Sequence, residues 1–201
     1  GFTQFLFGSS FQLGKIQAGF SNLEKIQKYS VIVIGGPKDS RFTQDEIDVL
    51  VEYVKNGGNL LVVNDEGGDY GSNCNVSDLT QYFGFTYESD ILFDSVNFQS
   101  MQNRIIVQNL EPHPMCEHLD AIVQSSACSI TIDEKFNASE NINVFSLAKT
   151  SLNCYRTKWN GKKWIEDLDS PKTNVAVGVN YYEGRVVGLS TVSIFSSLSS
   201  S

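Results

Sequence analysis

The sequence predicts an α/β domain with three layers, α/β/α, around a mostly parallel sheet with antiparallel hairpins added late. Three observations carry this. Residues 29–68 read as strand, glycine-rich turn, amphipathic helix, double-glycine stop, strand and second glycine-rich turn. That is a βαβ unit, whose crossover is right-handed. Its two strands, Val31-Ile32-Val33-Ile34 and Leu60-Leu61-Val62-Val63, are continuous apolar runs, the pattern of strands covered on both faces. Beyond residue 150 the signals change to hairpins, with Asn160-Gly161 between two tryptophans and Glu183-Gly184 between two apolar runs.

Each element has its own justification. Residues 1–11 are apolar and aromatic, and the spacing of Phe2, Phe5 and Leu6 suits a helix that ends by Gly14. Ser21 with Glu24 has the form of a capping box for a short helix through Ile26. No convincing strand precedes residue 12, so a first strand is expected upstream of Gly1. Gly35-Gly36-Pro37 ends the strand at 31–34. Thr43 and Glu46 form a second capping box, and Ile47, Leu50, Val51 and Val54 line one helical face. Gly57-Gly58 stops that helix. A polar loop at 69–74 leads to a short helix at 75–83, with Val76, Leu79 and Phe83 inward and Gly84 as its stop. Residues 85–87, 104–108, 129–132 and 144–148 read as strands, and 90–102 has no clear period. Pro112 and Pro114 frame His113, with one helical turn expected at 115–119. Residues 155–166 form a hairpin with a type I′ turn at Asn160-Gly161, since both positions of that turn need positive φ. Residues 174–179 and 185–189 form another. A terminal helix at 191–198 would point Ile194, Phe195 and Leu198 inward.

At 201 residues, 41% hydrophobic and 19% charged, the chain suits one domain at 1–198 with a disordered tail at 199–201. The formal net charge of −8 argues against nucleic acid or an anionic membrane surface as the main partner. No apolar run approaches the ~18 residues that span a bilayer. Four cysteines, Cys74, Cys116, Cys128 and Cys154, show no CxxC and read as free thiols of a reducing, cytoplasmic compartment. Asn75-Val76-Ser77 and Asn137-Ala138-Ser139 match the glycosylation sequon, which carries no meaning in that compartment.

The ordered set IGGPKDSRFTQDEIDVLVEYVKNGGNLLVVNDEGG, then a glycine-ended helix, then EPHPMCEHLD and a final GRVVGLSTVSIFS, resembles the GIFT domain over residues 20–198. That family is a non-catalytic branch of the flavodoxin-like, class I glutamine-amidotransferase-like fold. It includes an intraflagellar-transport B-complex subunit and auxiliary domains associated with ABC transporters and gliding motility. The resemblance implies a non-enzymatic interaction module that docks on other protein subunits, in the cytoplasm or at the periphery of a cilium or membrane complex. The hairpin at 155–166 matches no part of the family pattern.

An amidotransferase needs a nucleophile on the sharp turn between strand and helix, where the helix N-terminus lowers a thiol pKa and amides form an oxyanion hole. The turn here is Asn64-Asp65-Glu66-Gly67-Gly68, with carboxylates where the resemblance places the cysteine. Cys74 falls well past it, and the two histidines, His113 and His118, lie mid-chain, so no triad assembles. Gly35, Gly36, Pro37, Gly67 and Gly68 sit at the carboxyl ends of parallel strands, where open α/β sheets bind ligands. Tight turns that need positive φ are the favoured reading of them, and neither turn has phosphate-loop spacing. Asp65 and Glu66 read either as acid/base or cation-binding groups or as a solvated acidic turn. Glu111, His113, Cys116 and His118 contain zinc-ligand types, but a turn between prolines fixes a loop more readily than a metal centre. Trp159 and Trp164 read as a docking hot spot or as rings folded back over an apolar face. The phenylalanines of residues 2–11 read as a packed helix before a docking surface. The alternatives are a sugar-like ligand domain serving a transporter and a degenerate hydrolase using Asp65 or Glu66. No cofactor and no metal is expected.

Overall fold

The computed structural model describes residues 2–17, 19–168 and 172–195. Helix α1 is Phe2–Gly8, and strand β1 is Val31–Gly35. Helix α2 is Gln44–Lys55 and β2 is Asn59–Val63, followed by short helices α3, Gly68–Ser72, and α4, Val76–Thr80. The strands then run β3 Phe85–Tyr87, β4 Asp90–Asp94, β5 Phe98–Gln99, β6 Met101–Val107, β7 Asn109–Leu110, β8 Ile122–Ser125 and β9 Ile130–Ile132. Last come β10 Ile142–Lys149, β11 Cys154–Trp159, β12 Trp164–Asp167, β13 Asn174–Tyr181 and β14 Gly184–Leu189.

The main sheet runs β1-β2-β14-β13-β10-β7, with β9 and β3 branching from β13. Among the described residues only β1/β2 and β2/β14 are parallel, while β13/β14, β10/β13 and β7/β10 are antiparallel. The mostly parallel sheet is therefore corrected to a mixed one. The reason is that later strands return through short hairpins instead of helical crossovers.

The αβ unit forms as its sequence dictates. Thr43 caps α2 and Glu46 closes the capping box. Ile47, Leu50 and Val54 are buried against Ile32, Ile34, Leu60 and Val62. Each such side chain contributes about 1.5–3 kcal/mol of transfer free energy. Among the described residues the opposite sheet face carries strands and no helical layer. There Leu92, Ile105, Val107 and Cys154 pack with Leu147, Ala148 and Val175.

Several expectations are corrected. Strand β1 alternates, with Ile32 and Ile34 buried but Val31 and Val33 53% and 42% exposed. Its apolar run reports hydrophobicity, not a second covering layer, and among the described residues it is an edge strand. Helix α1 buries none of its residues. Phe5 and Phe7 face solvent, and Phe2 stacks on Phe195 at 4.3 Å. The helix at 21–26 is one 3-10 turn, Leu23–Lys25, capped by Asn22 instead of Ser21. The loop expected at 69–74 contains α3. Residues 90–102 form three strands, two of them interrupted by irregular pairing. Only turns occupy 114–118. The hairpin loop spans four residues, 160–163, because Trp159 pairs with Trp164. Only Gly161 has positive φ there, and the Asn160 side chain accepts from the amides of Lys162 and Lys163 (3.0 and 2.9 Å). That local bond replaces the type I′ geometry. The terminal helix is a 3-10 segment, Val192–Phe195, with no buried residue. Its predicted continuation through Leu198, the tail at 199–201 and the side chain of Asn137 lie outside the described residues. Asn75 is committed structurally, since its amide donates to the Phe42 carbonyl and to Asp78 while accepting from the Phe42 amide.

Candidate functional site

The strand–turn–helix elbow follows β2. Asn64 is fully buried. Its amide donates to the Leu189 carbonyl at 3.1 Å, and its side chain donates to Asp69 at 2.8 Å. Gly67 and Gly68 both lie in the left-handed region, at φ 73° and 56°. A Cβ on Gly68 would stand 2.4 Å from the Glu88 carbonyl oxygen. The glycines are therefore required by backbone approach and conformation. The Gly67 amide donates to the Asp90 carbonyl at 2.9 Å, which ties the elbow to β4.

The groups at this turn are engaged with the protein. Asp65 is half-buried and accepts from the Thr191 hydroxyl at 3.2 Å. Burial raises its carboxyl pKa, against the lowering effect of the Glu66 amide and that hydroxyl. Glu66 is exposed. The Asp69 carboxylate accepts from Asn64, from the Ser77 amide at 2.8 Å and from the Cys74 thiol at 3.3 Å. Burial pushes the Cys74 thiol up to about 11. A reactive thiol has the opposite shift.

The hairpin β11–β12 folds its tryptophans over the elbow. Trp159 stacks on Tyr70 with centroids 4.8 Å apart, and Trp164 stands 5.5 Å from Trp159. The Trp164 ring comes to 3.2 Å from where a Gly67 Cβ would be. The rings thus lie over the turn, and Trp164 keeps 37% of its surface exposed.

Four residues unmarked by sequence reasoning, Asp90, Ser129, Arg156 and Asp167, hold this roof. Asp90 is fully buried and accepts from the Ser129 amide at 2.7 Å and from the Ser129 hydroxyl. Arg156 of β11 reaches Asp90 at 3.6 Å and Asp167 of β12 at 3.1 Å. Burial raises the Asp90 pKa, opposed by Ser129 and Arg156. An arginine inside a strand was the one legible signal of a buried partner.

The first glycine turn borders the elbow through its backbone. Gly36 is left-handed at φ 54°, its amide donates to Val63, and a Cβ there would lie 2.5 Å from Val192. That space is filled. Gly35 faces open space, and Pro37 is half-buried. His113 rests 5.3 Å from the Phe145 ring and accepts from the Met115 amide, while the Cys116 thiol turns toward the Leu147 carbonyl. Among the described residues no cluster of three His, Cys, Asp or Glu side chains is arranged to hold a metal. An open depression of about 400 Å³ lies along α2, lined by Asp48, Glu52, Lys55 and Tyr181, and includes no elbow residue.

A profile of the IFT52 GIFT domain matches residues 7–108, which span β1, α2, β2 and the elbow. The intraflagellar transport protein 52 homolog of Mus musculus is 29% identical over 76 residues, 38% of this chain and 18% of the mouse protein. The match thus spans well under two thirds of that relative's length. Among solved structures, the mmIFT52 N-terminal domain superposes with a TM-score of 0.74 at 16% identity, covering 97% of this chain and 80% of that one. A ThuA-like protein from Bacteroides uniformis superposes with a TM-score of 0.56 at 18% identity, covering 96% of this chain and 74% of that one. These superpositions establish the likeness of fold. With half of its residues matched by the family profile, and the elbow glycines inside that half, the chain belongs to the IFT52 GIFT domain family.

Proposed function

We propose that this domain is a non-enzymatic interaction module that docks on other protein subunits of an intraflagellar-transport-like assembly. The observation that carries the reading is the occluded elbow. Where an amidotransferase would present a thiol, this chain has Asp65 and Glu66, and Trp159 with Trp164 roofs the turn. The nearest thiol in sequence, Cys74, is buried on Asp69 and harder to ionise than a free cysteine. A water-excluded nucleophile with a raised pKa has neither access nor thiolate. Family membership supports the transport context, because the mouse relative is named an intraflagellar transport protein. The reading places the domain in the cytoplasm, at a cilium. Among the described residues no helix is long and apolar enough to cross a membrane.

The test uses the tagged full-length protein expressed in ciliated cells. Co-elution with several other subunits in one high-mass particle is expected, with no glutamine hydrolysis by the purified protein. A monomeric protein whose glutaminase activity disappears in Cys74→Ser would overturn the reading.

A further inference from the structure

We infer that the free edge of β12, beside the hairpin tip, receives an extended acidic and apolar segment of a partner protein as an added strand. This rests on the interaction-module reading above and gives it a surface. Strand β12 lies at the end of the small sheet β12-β11-β4, so among the described residues one of its edges has no strand neighbour. An open edge offers unpaired amide and carbonyl groups, which is how extended peptides are captured by sheets. Side chains on adjacent strand positions point to opposite faces. Trp164 and Ile165, 37% and 42% exposed, therefore present apolar surface on both sides of the same edge.

Charge selects the occupant. The chain carries a net −8, yet Lys158, Lys162 and Lys163 cluster around the tip. Lys158 is paired with Glu88 at 3.7 Å, whereas Lys162 and Lys163 are in no ion pair among the described residues. Of the edge's own carboxylates, Asp167 is held by Arg156, and Glu166 stands opposite Thr157, two positions beyond Trp164. The incoming strand therefore has its acidic residues opposite the lysines and its apolar residues opposite Trp164 and Ile165. Attraction of that kind raises association rate and fixes orientation. The edge is also held in place before binding, by Arg156 on buried Asp90 and by Trp159 on Tyr70. Preorganisation lowers the ordering cost of binding.

The experiment titrates the whole chain with a labelled synthetic peptide that has two glutamates followed by alternating valine and threonine, read by fluorescence anisotropy. Saturable binding is expected. It should weaken at least tenfold in Lys162→Glu/Lys163→Glu, in a peptide with lysines for the glutamates, and in a peptide N-methylated on alternate amides. The two lysines are exposed, so the variant's melting temperature should match the parent's and serve as the folding control. Equal binding of the N-methylated peptide, or of the lysine peptide, overturns the inference. So does a concentration-dependent dimer that the acidic peptide displaces, since the occupant would then be a second copy. If the full-length protein enters the high-mass particle while the peptide does not bind, this edge assignment fails alone. If it enters no particle, the functional reading fails with it.

Discussion

Glu46 shows how one side chain joins local and distant structure. It is buried, and its carboxylate accepts from the Thr43 amide at 2.8 Å and from the Gly19 amide at 2.6 Å. Burial alone raises its pKa, but these bonds from Thr43 and Gly19 outweigh it and hold the group below the ordinary value. A depressed carboxyl pKa gives stability that is present above the unfolded value and lost as pH falls through the folded one. Glu46→Ala should therefore cost about 1–2 kcal/mol at neutral pH, read from denaturant midpoints. Asp90 has the opposite sign. Its pKa is raised, so its contribution is full below the unfolded carboxyl value and declines as pH rises through the folded one. The stability difference between the parent and Asp90→Asn should shift toward the variant as pH rises from the acid range to neutrality. At the elbow, Gly68→Ala meets both a left-handed backbone and the Glu88 carbonyl, whereas Gly161→Ala meets open space. Both lose about 1–2 kcal/mol to conformation, and Gly68→Ala should lose measurably more in thermal melts.

At the scale of elements, the hairpin and the elbow form one unit. Trp159 on Tyr70, Trp164 beside Gly67 and Arg156 on Asp90 bind β11 and β12 to the turn after β2. Aromatic pairs add about 0.5–1.5 kcal/mol beyond their area burial. Trp164→Ala should thus destabilise the protein by about 1–2 kcal/mol, less than a fully buried tryptophan would. The same variant should speed amide exchange at residues 67–72 selectively, leaving α2 protected. Uniform exchange change along the chain would show that the hairpin roof is not local. Much of this scale was legible from sequence. The α2 boundaries, its capping box and the two strands beside it follow from residue types in a window shorter than a helix and a strand. The hairpin was legible too, but not its loop length, because the Asn160 side chain takes amide hydrogen bonds that the backbone would otherwise make.

At the scale of the whole molecule, the sheet sorts the chain into two apolar clusters, one under α2 and α4 and one under the β4, β6 and β11 strands. The four cysteines report on this arrangement. Cys74, Cys128 and Cys154 are buried, and Cys116 is partly open. Burial raises all four thiol pKa values, most strongly for the fully enclosed Cys128. A thiol reagent at mildly alkaline pH should modify Cys116 in the folded protein, and the other three only after denaturant is added. Rapid native-state modification of Cys74 would contradict the closed elbow.

The sequence by itself determined the local units: the βαβ start, the glycine elbow with carboxylates and no cysteine, and the late hairpins. It also carried the family, since the motif order is a linear property. The tertiary structure alone decided how strands pair beyond their neighbours, which face of β1 is covered, and where the two tryptophans lie. Those depend on contacts between residues far apart in the chain. Gly67 and Trp164 are an example: each conforms to its own local rule, and no local rule brings them together.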